Sequence, residues 1–139
     1  MEPNRIDEEL TVLFSGRFDP PHCGHISNIL SLGMRYRRVL VVVLNHPEQD
    51  FPITYRIEVL KDILSKAKGE YEVSENYIHF SDITIEEFQK YGADVYAAGN
   101  MAVIKHMESL GVPCVWVNRA YEYEATNERL AKKIKELVK

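Results

Sequence analysis

Two histidines lie three residues apart where an apolar segment gives way to a helical pattern. In the stretch LFSGRFDPPHCGHISNIL (13–30), His22 and His25 flank Gly24, and Gly16 ends the apolar run. Residues at i and i+3 share one face of a helix, and a helix N-terminus attracts anions through its free N–H groups and its dipole. Two imidazoles placed there could donate hydrogen bonds to negative charge that grows in a transition state. The spacing therefore predicts a phosphate site at this helix start.

The same residues admit other interpretations. The HxxH pair could be half of a metal site, although the sequence shows no other Cys/His pair at ligand spacing. Either histidine could instead cap the helix or lie on the surface. Cys23, between them, is interpreted as incidental, because nothing in the sequence gives it a partnered base. The combination of both histidines with two glycines and Asp19-Pro20 in one loop favours anion binding.

The composition limits the class of protein. The chain has 139 residues, with 45% hydrophobic and 27% charged residues, which suits one compact domain. A net charge of -4 gives no nucleic-acid footprint, and the longest apolar run, Val39 to Leu44, is too short to span a membrane. Two cysteines are too few for a disulfide framework. We therefore expect a cytoplasmic protein with no nucleic-acid or membrane partner, with a loose tail over residues 1–9 and one domain over residues 10–139.

Strand-like and helix-like segments alternate along the chain. The predicted strands are LTVLFSG (10–16), RVLVVVLN (38–45), YIHFSD (77–82), DVYAAG (94–99) and VPCVWVN (112–118). The predicted helices are CGHISNILSLGM (23–34) with Gly33 as a stop, TYRIEVLKDILSKAKG (54–69), TIEEFQKYG (84–92) behind a Thr84–Glu87 capping box, MAVIKHMESLG (101–111) and NERLAKKIKELVK (127–139). Five βα units predict a parallel sheet with helices on both faces. Ligands of such sheets bind beyond the carboxyl ends of the strands, which here are followed by residues 15–25, 45–56, 99–101 and 118–129.

The first of these loops carries a family resemblance. GRFDPPHCGH (16–25) closely resembles the signature of the nucleotidyltransferase superfamily that includes cytidylyltransferases and adenylyltransferases. That signature is a glycine, a phenylalanine, often aspartate and proline, and then histidine, any residue, glycine and histidine. Every position is filled here, and the resemblance extends over nearly the whole chain. It implies a single-domain, Rossmann-like, doubly wound five-stranded parallel sheet.

The resemblance also implies a reaction. A phosphate oxygen of an acceptor attacks the α-phosphorus of a nucleoside triphosphate, and pyrophosphate leaves without a covalent enzyme intermediate. His22 and His25 would be the catalytic residues, contacting the triphosphate and the developing charge. Mg²⁺ would be held mainly by phosphates, with Asp19 supporting the site through the ion or through water. We expect ATP rather than CTP as the donor, a small phosphate monoester as the acceptor, and a homo-oligomer, most simply a dimer.

Further site residues follow from the same resemblance. Those expected to bind the nucleotide or its phosphates are Ser15, Gly16, Arg17, Phe18, Asp19, Gly24, Gly99, Asn100, Met101, Thr126 and Arg129. Judged from the residues alone, Asn100 could be a plain helix cap, Thr126 a simple N-cap, and Arg129 a residue of a solvated helix face.

The acceptor site is less defined by the sequence. The residues that could bind the acceptor are Arg56, Arg119 and His46. Phosphopantetheine adenylyltransferases and glycerol-phosphate cytidylyltransferases carry a lysine after strand two, whereas residues 45–55 offer only His46 as a cation, and Glu124 lies where an anion should bind. Arg56 could equally be a helix-surface arginine. An alternative function is therefore a catalytically weakened nucleotide-binding module that serves regulation or assembly.

Overall fold

Five parallel strands form the sheet in this computed structural model, which describes residues 9–76 and 80–117. The strands are β1 (Thr11–Gly16), β2 (Arg38–Leu44), β3 (Tyr71–Asn76), β4 (Val95–Ala98) and β5 (Cys114–Trp116). They pair in the order β3-β2-β1-β4-β5, and every pairing is parallel. This order confirms the predicted doubly wound α/β fold, because the chain first moves from β1 to one edge and then returns to the other side of β1.

Four helices cover the two faces of this sheet within the described residues. They are α1 (Cys23–Arg35), α2 (Ile53–Ser65), α3 (Ile85–Gln89) and α4 (Met101–Ser109). None of these helices is long and apolar enough to cross a membrane. The predicted last helix (127–139) and residues 1–8 of the predicted tail lie outside the described residues.

The core is divided between the two faces because side chains of a strand alternate in direction. Val12 and Phe14 of β1 join one cluster with α1 and α2, while Leu13 joins the opposite cluster with α3 and α4. From Val39 to Leu44, β2 is buried at every position, which explains its continuous apolar sequence. Helices on both faces thus fix β1 and β2 side by side, with Gly16 paired to Val43 at their carboxyl ends.

The third strand differs from the prediction. The sequence favoured YIHFSD (77–82), but β3 is the preceding segment YEVSEN, which pairs with β2 from Val39↔Tyr71 onward. β3 is an edge strand: Tyr71 and Val73 pack on the α1–α2 cluster, while Glu72 and Glu75 are exposed. An edge strand of this kind needs only one apolar face. Polar residues therefore alternate with apolar ones along β3, and the segment has no continuous apolar run that would indicate a strand.

Two helix signals of the sequence have different outcomes. The Thr84–Glu87 capping box is confirmed, since the Thr84 side chain accepts from the Glu87 N–H and the Glu87 side chain accepts from the Thr84 N–H. The prediction that Gly33 stops α1 is wrong, because the helix continues to Arg35. Gly33 serves packing instead: a Cβ there would lie 2.1 Å from Tyr71 Oη.

Candidate active site

The loops that follow β1, β2 and β4 lie at one edge of the sheet. β1 lies between β2 and β4, and all three strands are parallel, so their carboxyl ends are neighbours. The carboxyl ends of these strands therefore bring together three loops, which contain residues 17–22, 45–52 and 99–100. This is the switch in strand order at which ligands of open α/β sheets bind.

The two histidines cap helix α1. His22 is the N-cap residue, and its Nδ1 accepts a hydrogen bond of 3.0 Å from the Gly24 N–H. His25 Nδ1 in turn accepts from the His22 N–H at 3.2 Å. The imidazole rings are stacked, with centroids 3.7 Å apart and an interplanar angle of 25°. The capping interpretation is thus confirmed, and each cap uses Nδ1 of its ring.

These caps determine the tautomer of both rings. A neutral imidazole has one acceptor nitrogen and one N–H donor. Because Nδ1 of His22 and Nδ1 of His25 both accept from backbone amides, the proton of each neutral ring belongs on Nε2. Both rings are half-buried. The arrangement therefore places two oriented Nε2–H donors at the positive end of a helix.

Phe18 packs against His25 of this pair. Its backbone has a φ of 49°, and its side chain is almost fully buried. The ring meets Phe14 edge-on, with centroids 5.6 Å apart, and meets His25 edge-on at 4.8 Å. A Cβ at Gly16 would lie 3.2 Å from Phe18 Cζ, so the glycine leaves room for the ring. Two signature positions, Gly16 and Phe18, thus help to place the third, His25.

Asp19 ties the first loop to the loop between β2 and α2. Its Oδ2 accepts from the Asp50 N–H at 2.6 Å, and its Oδ1 accepts from the Phe51 N–H at 2.7 Å. The side chain is only 10% exposed. Both of its oxygens thus accept from backbone amides, and the support of the site by Asp19 through Mg²⁺ or water stays a prediction.

Arg56 is buried at the junction of the same loops. Its Nη1 donates to the carbonyls of Arg17 (2.7 Å) and Leu44 (3.0 Å). Its Nε donates to the Phe51 carbonyl at 3.0 Å, and its Nη2 donates to Gln49 Oε1. With a side chain that is 0% exposed, Arg56 is not the helix-surface arginine that the sequence allowed. Its contact with an acceptor phosphate stays a prediction.

The charge state of Arg56 follows from its surroundings. Burial lowers the pKa of the Arg56 guanidinium, and the Asp19 carboxylate, whose Oδ1 is 4.0 Å from Nε, acts in the opposite direction. Arginine remains protonated in proteins, so a buried cation connects the carboxyl ends of β1 and β2. The sequence does not indicate Gln49 as its partner, and the other three acceptors are backbone carbonyls, which every residue carries.

Two further predicted residues of the first loop point in different directions. Ser15 is 9% exposed, and its Oγ lies 2.5 Å from Tyr96 Oη, a contact in which either hydroxyl can donate. Burial raises the pKa of Tyr96 above its usual range. Arg17 is exposed, and its Nη2 lies 2.9 Å from Nε2 of His46 in the next loop. The structure thus brings Arg17 and His46 together and directs the Ser15 hydroxyl into the interior.

The loop after β4 begins helix α4. Asn100 is its N-cap, with Oδ1 accepting from the Ala102 N–H at 3.0 Å. Asn100 and Met101 are exposed, and Gly99 is half-buried. The capping role of Asn100 is confirmed, and nucleotide contacts of these three residues stay a prediction.

Arg119, Thr126 and Arg129 lie outside the described residues. Within residues 9–76 and 80–117, no three His, Cys, Asp or Glu side chains come together to hold a metal ion.

Two similar proteins show how far the likeness in sequence extends. The chain is 30% identical over 89 residues to a UDP-N-acetylglucosamine 1-carboxyvinyltransferase of Thermotoga maritima, which covers 63% of this chain and 21% of that protein. It is 26% identical over 95 residues to a phosphopantetheine adenylyltransferase of Natranaerobius thermophilus, covering 67% of this chain and 56% of that protein. The chain thus spans about a fifth and about half of these two relatives.

The fold is shared with a solved structure. A bifunctional NMN adenylyltransferase/ADP ribose pyrophosphatase from Francisella tularensis, complexed with AMP and a manganese ion, superposes with a TM-score of 0.61 at 18% identity. The superposition covers 81% of this chain and 38% of that one. Residues 13–136 match the family described as cytidylyltransferase-like. With the HxGH signature on the first loop of a sheet ordered β3-β2-β1-β4-β5, the chain belongs to this cytidylyltransferase-like family of nucleotidyltransferases.

Proposed function

We propose that the protein transfers a nucleoside monophosphate from a nucleoside triphosphate to a small phosphate monoester and releases pyrophosphate. The observation that carries this proposal is the double histidine cap of α1. Backbone amides occupy Nδ1 of His22 and of His25, which leaves Nε2 as the protonated donor of each ring at a helix N-terminus. Such donors stabilise charge on phosphate oxygens.

The transfer needs positioned substrates rather than a side-chain nucleophile. A phosphate oxygen of the acceptor forms a bond to the α-phosphorus, while the bond from that phosphorus to the bridging oxygen of pyrophosphate breaks. Charge spreads over the non-bridging oxygens during this step. The Nε2–H groups of His22 and His25 donate to that charge without giving up their protons. Gly16 and Phe18 keep the rings in place through the packing described above.

A divalent ion fits this site if substrate phosphates hold it. Both Asp19 oxygens accept from backbone amides, and the described residues contain no cluster of metal ligands. Mg²⁺ commonly binds through substrate phosphates with few protein ligands. The ion would neutralise phosphate charge, and the chain's own contribution would be the donors at α1.

ATP is the favoured donor. Two of the similar proteins are named as adenylyltransferases, and one of these is seen with AMP. CTP is the second candidate, because the matching family is described as cytidylyltransferase-like. The assembly into a homodimer, predicted from the sequence, is part of the same proposal.

A binding module without turnover is the competing function. It is favoured by one observation: the loop over residues 45–55 contains no lysine or arginine, so His46 is its only potential cation. A module of this kind would bind nucleotide through the same helix terminus and release no pyrophosphate.

A pyrophosphate-release screen separates these functions. The protein is incubated with Mg²⁺ and either ATP or CTP, together with glycerol 3-phosphate, phosphopantetheine or nicotinamide mononucleotide. We expect release with one donor and one acceptor, and its loss in His25→Ala as the matched control. In parallel, nucleotide at about 100 times its Kd should stabilise the fold by about 2.7 kcal/mol, seen as a higher Tm.

The outcomes are distinct. Stabilisation by nucleotide without pyrophosphate release from any acceptor would favour the binding module. The absence of both stabilisation and release would refute a nucleotide site.

A further inference from the structure

The backbone pairing of β1 with β4 ends before the candidate site is reached. On the β2 side, β1 is paired up to Gly16↔Val43. On the β4 side, the last pair within the described residues is Phe14↔Ala97. Ser15 and Gly16 therefore have strand partners on β2 but not on β4. The sheet opens in this way at a switch in strand order, where ligands bind.

One side-chain contact joins β1 to β4 beyond the last backbone pair. Ser15 Oγ lies 2.5 Å from Tyr96 Oη, and the two residues are 9% and 1% exposed. Burial raises the pKa of the Tyr96 phenol, so its hydroxyl stays protonated. A buried hydroxyl that loses its partner is costly, which favours keeping this bond made. The bond thus ties the last residues of β1 to β4.

The Tyr96 ring is fixed by two other aromatic rings. It is stacked on Phe80, with centroids 5.4 Å apart and an interplanar angle of 13°, and it meets Phe88 edge-on at 6.5 Å. Both of these rings are buried. The Tyr96 N–H donates to the Pro113 carbonyl at 2.9 Å, which fixes the backbone as well. Because close packing leaves the ring little freedom, its hydroxyl has a defined position.

The end of β1 in turn determines where His25 lies. Gly16 follows Ser15 directly and is close to the Phe18 ring, since a Cβ at Gly16 would lie 3.2 Å from Phe18 Cζ. The Phe18 ring meets the His25 ring edge-on, with centroids 4.8 Å apart. A displacement of β1 at Ser15 would therefore move these rings, because packed side chains leave no space to absorb it.

We propose that Tyr96 is a positioning residue for nucleotidyl transfer, an inference that rests on the proposed function. Through Ser15, its hydroxyl holds the carboxyl end of β1, and the packing of Phe18 transmits that position to His25. Tyr96 contacts no substrate in this role. Its effect belongs to the step in which charge develops, because a displacement of about 1 Å in a positioned group can lower a rate about 10²-fold.

Tyr96→Phe tests the bond directly, because it removes the hydroxyl and keeps the ring. We expect kcat to fall about tenfold or more, while the KM for the nucleoside triphosphate changes less than about twofold. Tyr91→Phe is the matched control. Tyr91 Oη accepts from Asn76 Nδ2 at 2.6 Å, and the Tyr91 ring lies 6.1 Å from that of Phe80. Asn76 ends β3 rather than β1, so the control should keep the kcat of the parent.

Ser15→Ala removes the same hydrogen bond from the other strand. If the two hydroxyls act as one unit, the double variant should have the kcat of either single variant rather than the product of the two losses. Its Tm should be no lower than that of Tyr96→Phe, because no hydroxyl of the pair is then buried without its partner.

A second readout does not depend on turnover. The NMR signals of the His25 ring in the free protein report its surroundings, including the edge-on Phe18 ring. We expect Tyr96→Phe and Ser15→Ala to shift these signals in the same direction, and Tyr91→Phe to leave them at the positions of the parent. A role confined to stability would lower Tm and leave both the His25 signals and the kcat of the folded protein unchanged.

The outcomes that overturn the inference are specific. They are a kcat of Tyr96→Phe that equals that of the parent or of Tyr91→Phe well below Tm, and losses that multiply in the double variant. If the parent releases no pyrophosphate, the proposed function fails by itself, and the NMR comparison still decides the structural part. A His25 shift in Tyr96→Phe and Ser15→Ala alone would then support the link from Tyr96 to His25, and unchanged signals would refute it.

Discussion

Replacing Arg56 by methionine tests whether a buried cation holds the active-site loops together. Methionine keeps much of the side-chain length and removes the charge and all five N–H donors. Three backbone carbonyls, those of Arg17, Leu44 and Phe51, then lose a donor, as does Gln49 Oε1. The carbonyls of Arg17 and Leu44 lie at the carboxyl ends of β1 and β2. The hydrogen bonds that are lost therefore lie at the candidate site.

The size of the effect follows from these contacts. Hydrogen bonds to a charged group contribute about 1.5–3 kcal/mol each. The variant also avoids burying a cation, which offsets part of that sum. Removing one partner of a buried charged network costs about 3–5 kcal/mol, and we expect a loss in this range. At roughly 4 °C per kcal/mol for a chain of this size, Tm should fall by about 12–20 °C.

The measurement is urea unfolding followed by circular dichroism on three variants. Arg37→Met is the matched control, because Arg37 is exposed and its substitution should change the free energy of unfolding by no more than about 0.5 kcal/mol. Arg56→Lys keeps the charge but not the fork of donors, so it should fall between the other two. The reasoning is wrong if Arg56→Met unfolds at the same urea concentration as Arg37→Met.

Two further predictions concern the start of α1. His22→Asn keeps an N-cap acceptor for the Gly24 N–H and removes the Nε2 donor, so Tm should stay within a few degrees while turnover falls about 10²–10³-fold. Normal turnover in both His22→Asn and His25→Ala would remove the catalytic role of the pair. Cys23 is exposed, whereas Cys114 is partly buried and burial raises its pKa to about 11. A disulfide reagent at pH 8 should therefore modify Cys23 first, and bound nucleotide should slow that reaction; equal rates for both thiols would contradict this.

The sequence was sufficient for the order of elements along most of the chain. The continuous β-branched run of β2 and the capping box at Thr84 are local signals, and the structure confirms both. The sequence does not predict the edge strand β3, because a strand with an exposed face resembles a loop in composition. It also does not predict the packing role of Gly33, because the neighbouring Tyr71 is distant in sequence.

The candidate site divides in the same way. The sequence alone determined that two histidines would begin a helix after the first strand, since residue type and spacing specify a helix N-terminus locally. Only the tertiary structure decided the rest: that Nδ1 of each ring is used by the cap, that Asp19 and Arg56 fasten two loops, and that Arg17 meets His46. Those contacts join residues from separate loops, many through backbone amides and carbonyls. Every residue has a backbone carbonyl, and all but proline have a backbone N–H, so the side chains in the sequence do not predict which backbone groups will pair. That pairing is set only when the parallel sheet brings the strand ends together.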